Sequence, residues 1–150
     1  MLTDALIALQ IFVVAFIALH DWVPLDGLND VRAVQATDSP GKLMAVTALS
    51  TLPFAVGLAG SVAYVHARLP DWLTIWLWAS YGMCFYGLLR AWWIPYLLTD
   101  EPVRAQRYQA MFGRTHAFLP MRNGIRPNTL HVVLHIVIVV ILVLLVLRLV

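Results

Sequence analysis

No charged residue stands between Arg126 and Arg148, and from Thr129 to Leu147 the chain is almost unbroken Val, Ile and Leu, interrupted chiefly by His131 and His135. In water, the stretch Ile136 to Ile141 would read as a buried strand. The run is too long for one strand, and an isolated strand in lipid leaves its backbone N–H and C=O groups unpaired, so a membrane helix over 129–148 is the remaining solution. A bilayer crossing takes about 20 residues, and residues 5–20, 43–65 and 72–93 approach that requirement. Composition agrees: 61% of the 150 residues are apolar and 12% charged, against roughly a quarter charged in a soluble domain. A soluble globular domain and a disordered chain are thereby excluded. The net charge of +2 is too small to suggest nucleic acid as a partner. The sequence therefore reads as all-α, a single polytopic transmembrane domain built as a four-helix bundle. Ordered loops at 21–42 and 94–128 are expected to cap one end.

Each span carries a distinguishing mark. The first contains Gln10 and is the shortest; no basic residue precedes it and no small-residue cleavage site follows, so it reads as a mature helix and not a signal peptide. The second contains Pro53, which removes a backbone donor and predicts a kink, with Ser50 and Thr51 at hand to satisfy the freed carbonyl. Gly57, Gly60 and Ser61 follow and would let another helix approach closely. The third opens after Pro70, with Asp71 as the expected N-cap. Its Trp72, Trp76 and Trp78 at one end and Trp92, Trp93 and Tyr96 at the other fit two interfacial aromatic belts. Gln10, Tyr81 and Tyr86 are expected to hydrogen-bond between helices.

With four crossings, both long connections emerge on one side. That side holds Arg32, Lys42, Arg90, Arg104, Arg107, Arg114, Arg122 and Arg126; the other holds Arg68 and Arg148. The positive-inside rule puts the long loops in the cytoplasm and both termini outside.

The histidines gather on that same side. His20 ends the first span, His116 lies in the second long loop, and His131 and His135 open the fourth span. Four residues apart on a helix, His131 and His135 share a face, the spacing used by metal-binding pairs. With His20, or with Asp21, as a third ligand they would suit zinc or a similar divalent metal. A haem held by two axial histidines is disfavoured, because the pair would lie at the membrane edge. Asp21, Asp26 and Asp30 in one loop face Arg114, Arg122 and Arg126 in the other, either as a salt-bridge lock or with the guanidinium forks free to bind an oxyanion. Cys84, the single cysteine, excludes an intrachain disulfide.

The favoured function is a His/Arg-lined site at the cytoplasmic membrane edge. It would bind a metal or an anionic or lipidic ligand, with His20, Asp21, His116 and Arg114 as acid/base or substrate-contacting groups. Arg122, Arg126 and Asn128 would hold the ligand or cofactor. Two alternatives are a small homo-oligomeric transporter or channel lined by Gly57 and Gly60, and an accessory subunit that docks a partner protein through the cap. No mid-span carboxylate marks a proton-coupled path, and no Gly-x-Ser-x-Gly elbow marks a serine nucleophile.

Overall fold

Where the helices begin is decided by capping chemistry more than by hydropathy. Ser39 accepts a hydrogen bond from the Lys42 N–H and Pro40 fills the first helical position, so α3 spans Pro40–Ala63 and starts ahead of its apolar run. Asn128 caps α7, Thr129–Leu147, by accepting from the His131 N–H. Asp71, expected as a cap, is instead the first residue of α4, Asp71–Leu88; Pro70 holds the cap position without a side-chain bond. The computed structural model describes residues 2–37 and 39–148, and among these every regular element is helical. The others are α1 (Leu2–Leu19), α2 (Val31–Gln35), α5 (Ile94–Leu97) and α6 (Pro102–Phe112). A π-helical turn, Leu89–Trp93, joins α4 to α5.

Three helices, α1, α3 and α7, are long and apolar enough to cross a membrane, consistent with a membrane protein. α4, 18 residues long with Asp71 at its start, is not among them. The four long helices contact one another in a ring: α1 packs on α3 and α7, and α4 packs on the same two from the other side. Leu6 and Val13 of α1, Leu73 and Leu77 of α4, and Ile138 and Ile141 of α7 meet in the centre, all fully buried. The outward faces are just as apolar. Met44, Leu49 and Leu52 on α3 and Ile136, Val143 and Val146 on α7 stand exposed, a surface that water would penalise and hydrocarbon would not.

The small residues of α3 do what their size allows. A Cβ at Gly57 would lie 2.8 Å from Leu77 Cδ2, and one at Gly60 would lie 2.7 Å from Leu73 Cδ1. The glycine face is thus packed against α4 within this chain. The helix runs unbroken through Pro53. Thr51 donates to the Thr47 carbonyl, not to the Leu49 carbonyl that proline leaves without an N–H, and the Pro53 carbonyl accepts from the Trp76 indole. Gln10 and Tyr81 do not make the interhelical bonds expected of them: both are fully buried, and neither the Gln10 amide nor the Tyr81 hydroxyl has a protein partner among the described residues. Their surroundings at that depth are aliphatic and aromatic; Tyr81 packs on Phe54 at 5.1 Å between ring centroids. Tyr86 faces outward.

Both long connections are folded, and α2 packs on α6. Asn29 pins the first: its side chain accepts from the Leu25 N–H and donates to the His20 and Val23 carbonyls. In the second, Asn123 and Gly124 take positive φ of 48° and 70°, the conformation of a type I′ turn, which pairs the backbones of Arg122 and Ile125.

Candidate functional site

The site is built around a missing donor. Pro95 has no N–H, so the Ala91 carbonyl four residues earlier loses its α-helical partner. The helix widens there into the π turn, in which the Ile94 N–H reaches back to the Leu89 carbonyl. The orphaned Ala91 oxygen is then satisfied from outside the helix, by the Tyr108 hydroxyl at 3.1 Å and an Arg104 guanidinium nitrogen at 3.3 Å. Those two bonds hold α6 against the end of α4. Glu101 adds a clamp, bonding Arg104 Nε at 2.7 Å and Arg90 at 2.8 Å. Arg90, counted among the basic residues of the long-loop side, is thereby paired with a carboxylate.

The turn also aims two indoles at α7. Trp92 lies 4.7 Å from the His131 ring, and the Trp93 indole N–H donates to His135 Nδ1 at 3.1 Å. Trp92 and Tyr96 are therefore buried and not part of an interfacial belt. Phe112 closes on His131 at 5.0 Å, and Phe16 stacks on His20 at 4.8 Å. The two imidazoles of α1's end and α7's start thus meet, 5.7 Å apart between ring centroids, inside an aromatic shell. Beside them opens a cleft of about 770 Å³, mostly apolar in lining. His20, Asp21 and His131 contribute to it from the helix ends, Leu43 and Val46 from α3, and Tyr108, Met111 and Phe112 from α6.

Hydrogen-bond partners fix each ring's tautomer. His20 Nδ1 faces the Phe16 carbonyl at 3.0 Å, which can only accept, so that nitrogen carries hydrogen. Its Nε2 lies 3.2 Å from an Asp21 carboxylate oxygen. For His131, the partner is Asn128 Oδ1 at 2.6 Å. The amide orientation is set because Nδ2 donates to the Leu28 carbonyl and Oδ1 accepts the His131 backbone N–H. His131 Nδ1 therefore carries hydrogen and Nε2 presents a lone pair. In His135 the order reverses: Trp93 donates to Nδ1, so the neutral ring carries its hydrogen on Nε2, a buried atom without a protein partner among the described residues. The metal set read from spacing, His131 and His135 with His20, gains no support from this arrangement. No group of three His, Cys, Asp or Glu among the described residues could hold a metal ion.

The remaining sequence-assigned residues are placed apart from the cleft. His116 Nδ1 bonds the Thr129 hydroxyl at 2.7 Å, and its backbone N–H donates to the Gly27 carbonyl, so it ties the first connection to the start of α7. Arg114 pairs with Asp30 at 2.8 Å, and the same Asp30 caps α2 by accepting from the Ala33 N–H. Arg122 lies over the Tyr96 ring, 5.8 Å from its centroid. Arg126 is half-buried beside the buried Pro127 and Asn128. Asp30 and Arg114 thus form an ion pair between the two connections. No family model, curated protein or solved structure matches the chain.

Sequence reading missed the contribution of α6, which it took as loop. Pro102 at the first helical position and Gly113 at its end were the available signals.

Two pH effects follow from the charges outside the helical spans. Arg104 and then Arg90 stabilise the charged form of Glu101 and hold its carboxyl below the ordinary value. Its contribution to holding α6 is complete above about pH 4.5 and is lost as pH falls further. Hydrogen exchange in 102–112, corrected for intrinsic rates, should accelerate below about pH 4, and Glu101→Gln should abolish that dependence. Asp21 is the opposite case: burial raises its pKa, with the His20 charge opposing. A carboxyl whose folded pKa is raised costs stability once pH exceeds that pKa and costs nothing below the unfolded value. Asp21→Asn is therefore expected to raise the thermal midpoint at pH 7 and to give no gain near pH 3; a lowered midpoint at pH 7 would contradict it.

Proposed function

We propose that the chain is a polytopic membrane protein in which α4 crosses together with α1, α3 and α7 as a four-helix bundle. Its folded connections cap the cytoplasmic end, with both termini outside. The cleft under that cap binds a lipidic small molecule. The 18 residues of α4 cover about 27 Å at 1.5 Å each, close to the hydrocarbon thickness of about 30 Å. Its packing between α3 and α7 supports the fourth crossing. The distribution of Arg and Lys supports the orientation.

The observation that carries the binding reading is the composition of the cleft: ionisable groups from α1 and α7 sit at one place in an otherwise largely apolar wall. Ligand pockets are commonly about 300–1,000 Å³, mostly apolar, with a few convergent polar groups. Arg114 and Arg122 are engaged with Asp30 and Tyr96, which favours a lipidic over a strongly anionic ligand. The test is to identify lipid retained by the purified protein and to fill the cleft with Val46→Trp, a substitution at a partly exposed position. A specific lipid retained by the wild type and lost in the variant supports the reading. Retention of bulk lipid alone, unchanged by the substitution, counts against it.

A further inference from the structure

The donors and acceptors lining the cleft are unequally spent, and the imbalance names the ligand's polar group. The Thr37 hydroxyl donates to the Val34 carbonyl at 2.7 Å, the Tyr108 hydroxyl to Ala91, and Arg104 to Glu101 and Ala91. Each of these groups already serves the fold, and Arg107, which also lines the cleft, is engaged as well. Two acceptors stand beside them. His131 turns Nδ1 to Asn128 and so keeps a lone pair on Nε2, and Asp21 has a second carboxylate oxygen beyond the one beside His20. A ligand hydroxyl that donates complements these acceptors.

Charge narrows the choice. Both signs of charge line the cleft, Asp21 and Glu101 against Arg104 and Arg107, so neither an anionic head nor an ammonium meets a field of one sign. Either charge would also be desolvated against Trp92, Met111 and Phe112. Deepening the lipid-binding reading above and resting on it, we infer that the cleft selects an uncharged amphiphile bearing a hydroxyl, which donates its hydrogen bond to His131 Nε2. The alkyl portion then lies along Leu43, Val46 and Met111.

The test uses four photo-reactive probes with one alkyl chain and different heads: alcohol, carboxylate, phosphate monoester and primary amine. Each is applied to the full chain in nanodiscs at pH 7.5, and labelled peptides are mapped. The alcohol should label cleft peptides from 20–46 and 102–112 about fivefold more than each charged probe, the ratio of one net hydrogen bond. His131→Phe, which keeps the aromatic packing and removes the acceptor, should bring the alcohol down to the level of the others. An alcohol preference lost in that variant supports the inference. Preference for a charged head, equal labelling by all four, or an alcohol preference indifferent to His131→Phe overturns it while leaving lipid binding in place. Failure of every probe to label the cleft above the outward faces of α3 and α7 overturns both readings. The wild-type comparison holds its meaning even if His131→Phe does not fold.

Discussion

Gly60→Ala is expected to destabilise the protein by about 1–3 kcal/mol, the usual cost of forcing a methyl into a packed core, although alanine is the better helix former. The new Cβ would stand 2.7 Å and 2.9 Å from the two Leu73 methyls. Leu73 is fully buried, so it cannot swing into solvent to make room. The helices must separate or α4 must slide. Gly82→Ala is the internal control: nothing lies within 4 Å of a Cβ built there, so alanine should be neutral or stabilising. Leu73→Ala alone should cost about 2–5 kcal/mol through the cavity it leaves. Combined with Gly60→Ala it should cost at least about 0.5 kcal/mol less than the sum, since contacting sites couple. Unfolding midpoints of the purified protein in detergent would decide the matter. Equal effects of alanine at Gly60 and Gly82, or strict additivity with Leu73→Ala, would show that α3 and α4 are not in the contact described.

That contact was legible in the sequence only in part. Gly57, Gly60 and Ser61 announce that something packs closely, because small side chains at helical spacing serve little else in lipid. They do not say which helix comes. The same division runs through the site. The nearness of His20 to His131 could be read from depth alone, since α1 ends and α7 begins at one membrane edge. Asn128 could be read as a polar residue ahead of an apolar helix. The tautomers could not, because they depend on Phe16, Asn128 and Trp93 as tertiary partners. Trp92 illustrates the failure best: an indole at the end of a span ordinarily joins an interfacial belt, yet Pro95 opens the π turn and Tyr108 and Arg104 come in to satisfy Ala91. The element that supplies them, α6, is short and polar, so hydropathy registers it as loop. Three carboxylates show how far charge counting reaches. Asp30 locks Arg114 as its sign suggests, whereas Asp21 serves His20 and Glu101 takes Arg90 and Arg104.

Asn128 carries three separate bonds at the start of α7, and Asn128→Ala should reveal them together. It is 1% exposed. Its oxygen caps α7 and holds the His131 ring, while its nitrogen bonds the Leu28 carbonyl in the first connection. Loss of a cap costs about 0.5–2 kcal/mol. Leaving the Leu28 carbonyl and His131 Nδ1–H without partners in a buried setting adds about 1–3 kcal/mol, so a total near 3 kcal/mol is expected. Asn128→Ser separates the parts: its hydroxyl can cap the helix but cannot also reach Leu28, and it should recover about 1 kcal/mol. Nitrogen NMR supplies the readout that stability alone does not. In the wild type, His131 should show its hydrogen on Nδ1; in Asn128→Ala the two tautomers should interconvert, and the alcohol probe should lose its preference for the cleft. If the alanine variant unfolds within about 0.5 kcal/mol of wild type, the range of ordinary surface substitutions, the cap and the clamp do not carry the weight assigned to them. If His131 keeps a single tautomer without Asn128, the acceptor in the cleft is fixed by something other than this amide. A ligand site that depends on a lone pair is only as specific as the residue that keeps the proton elsewhere, and in this chain that residue is also the first fastening of α7.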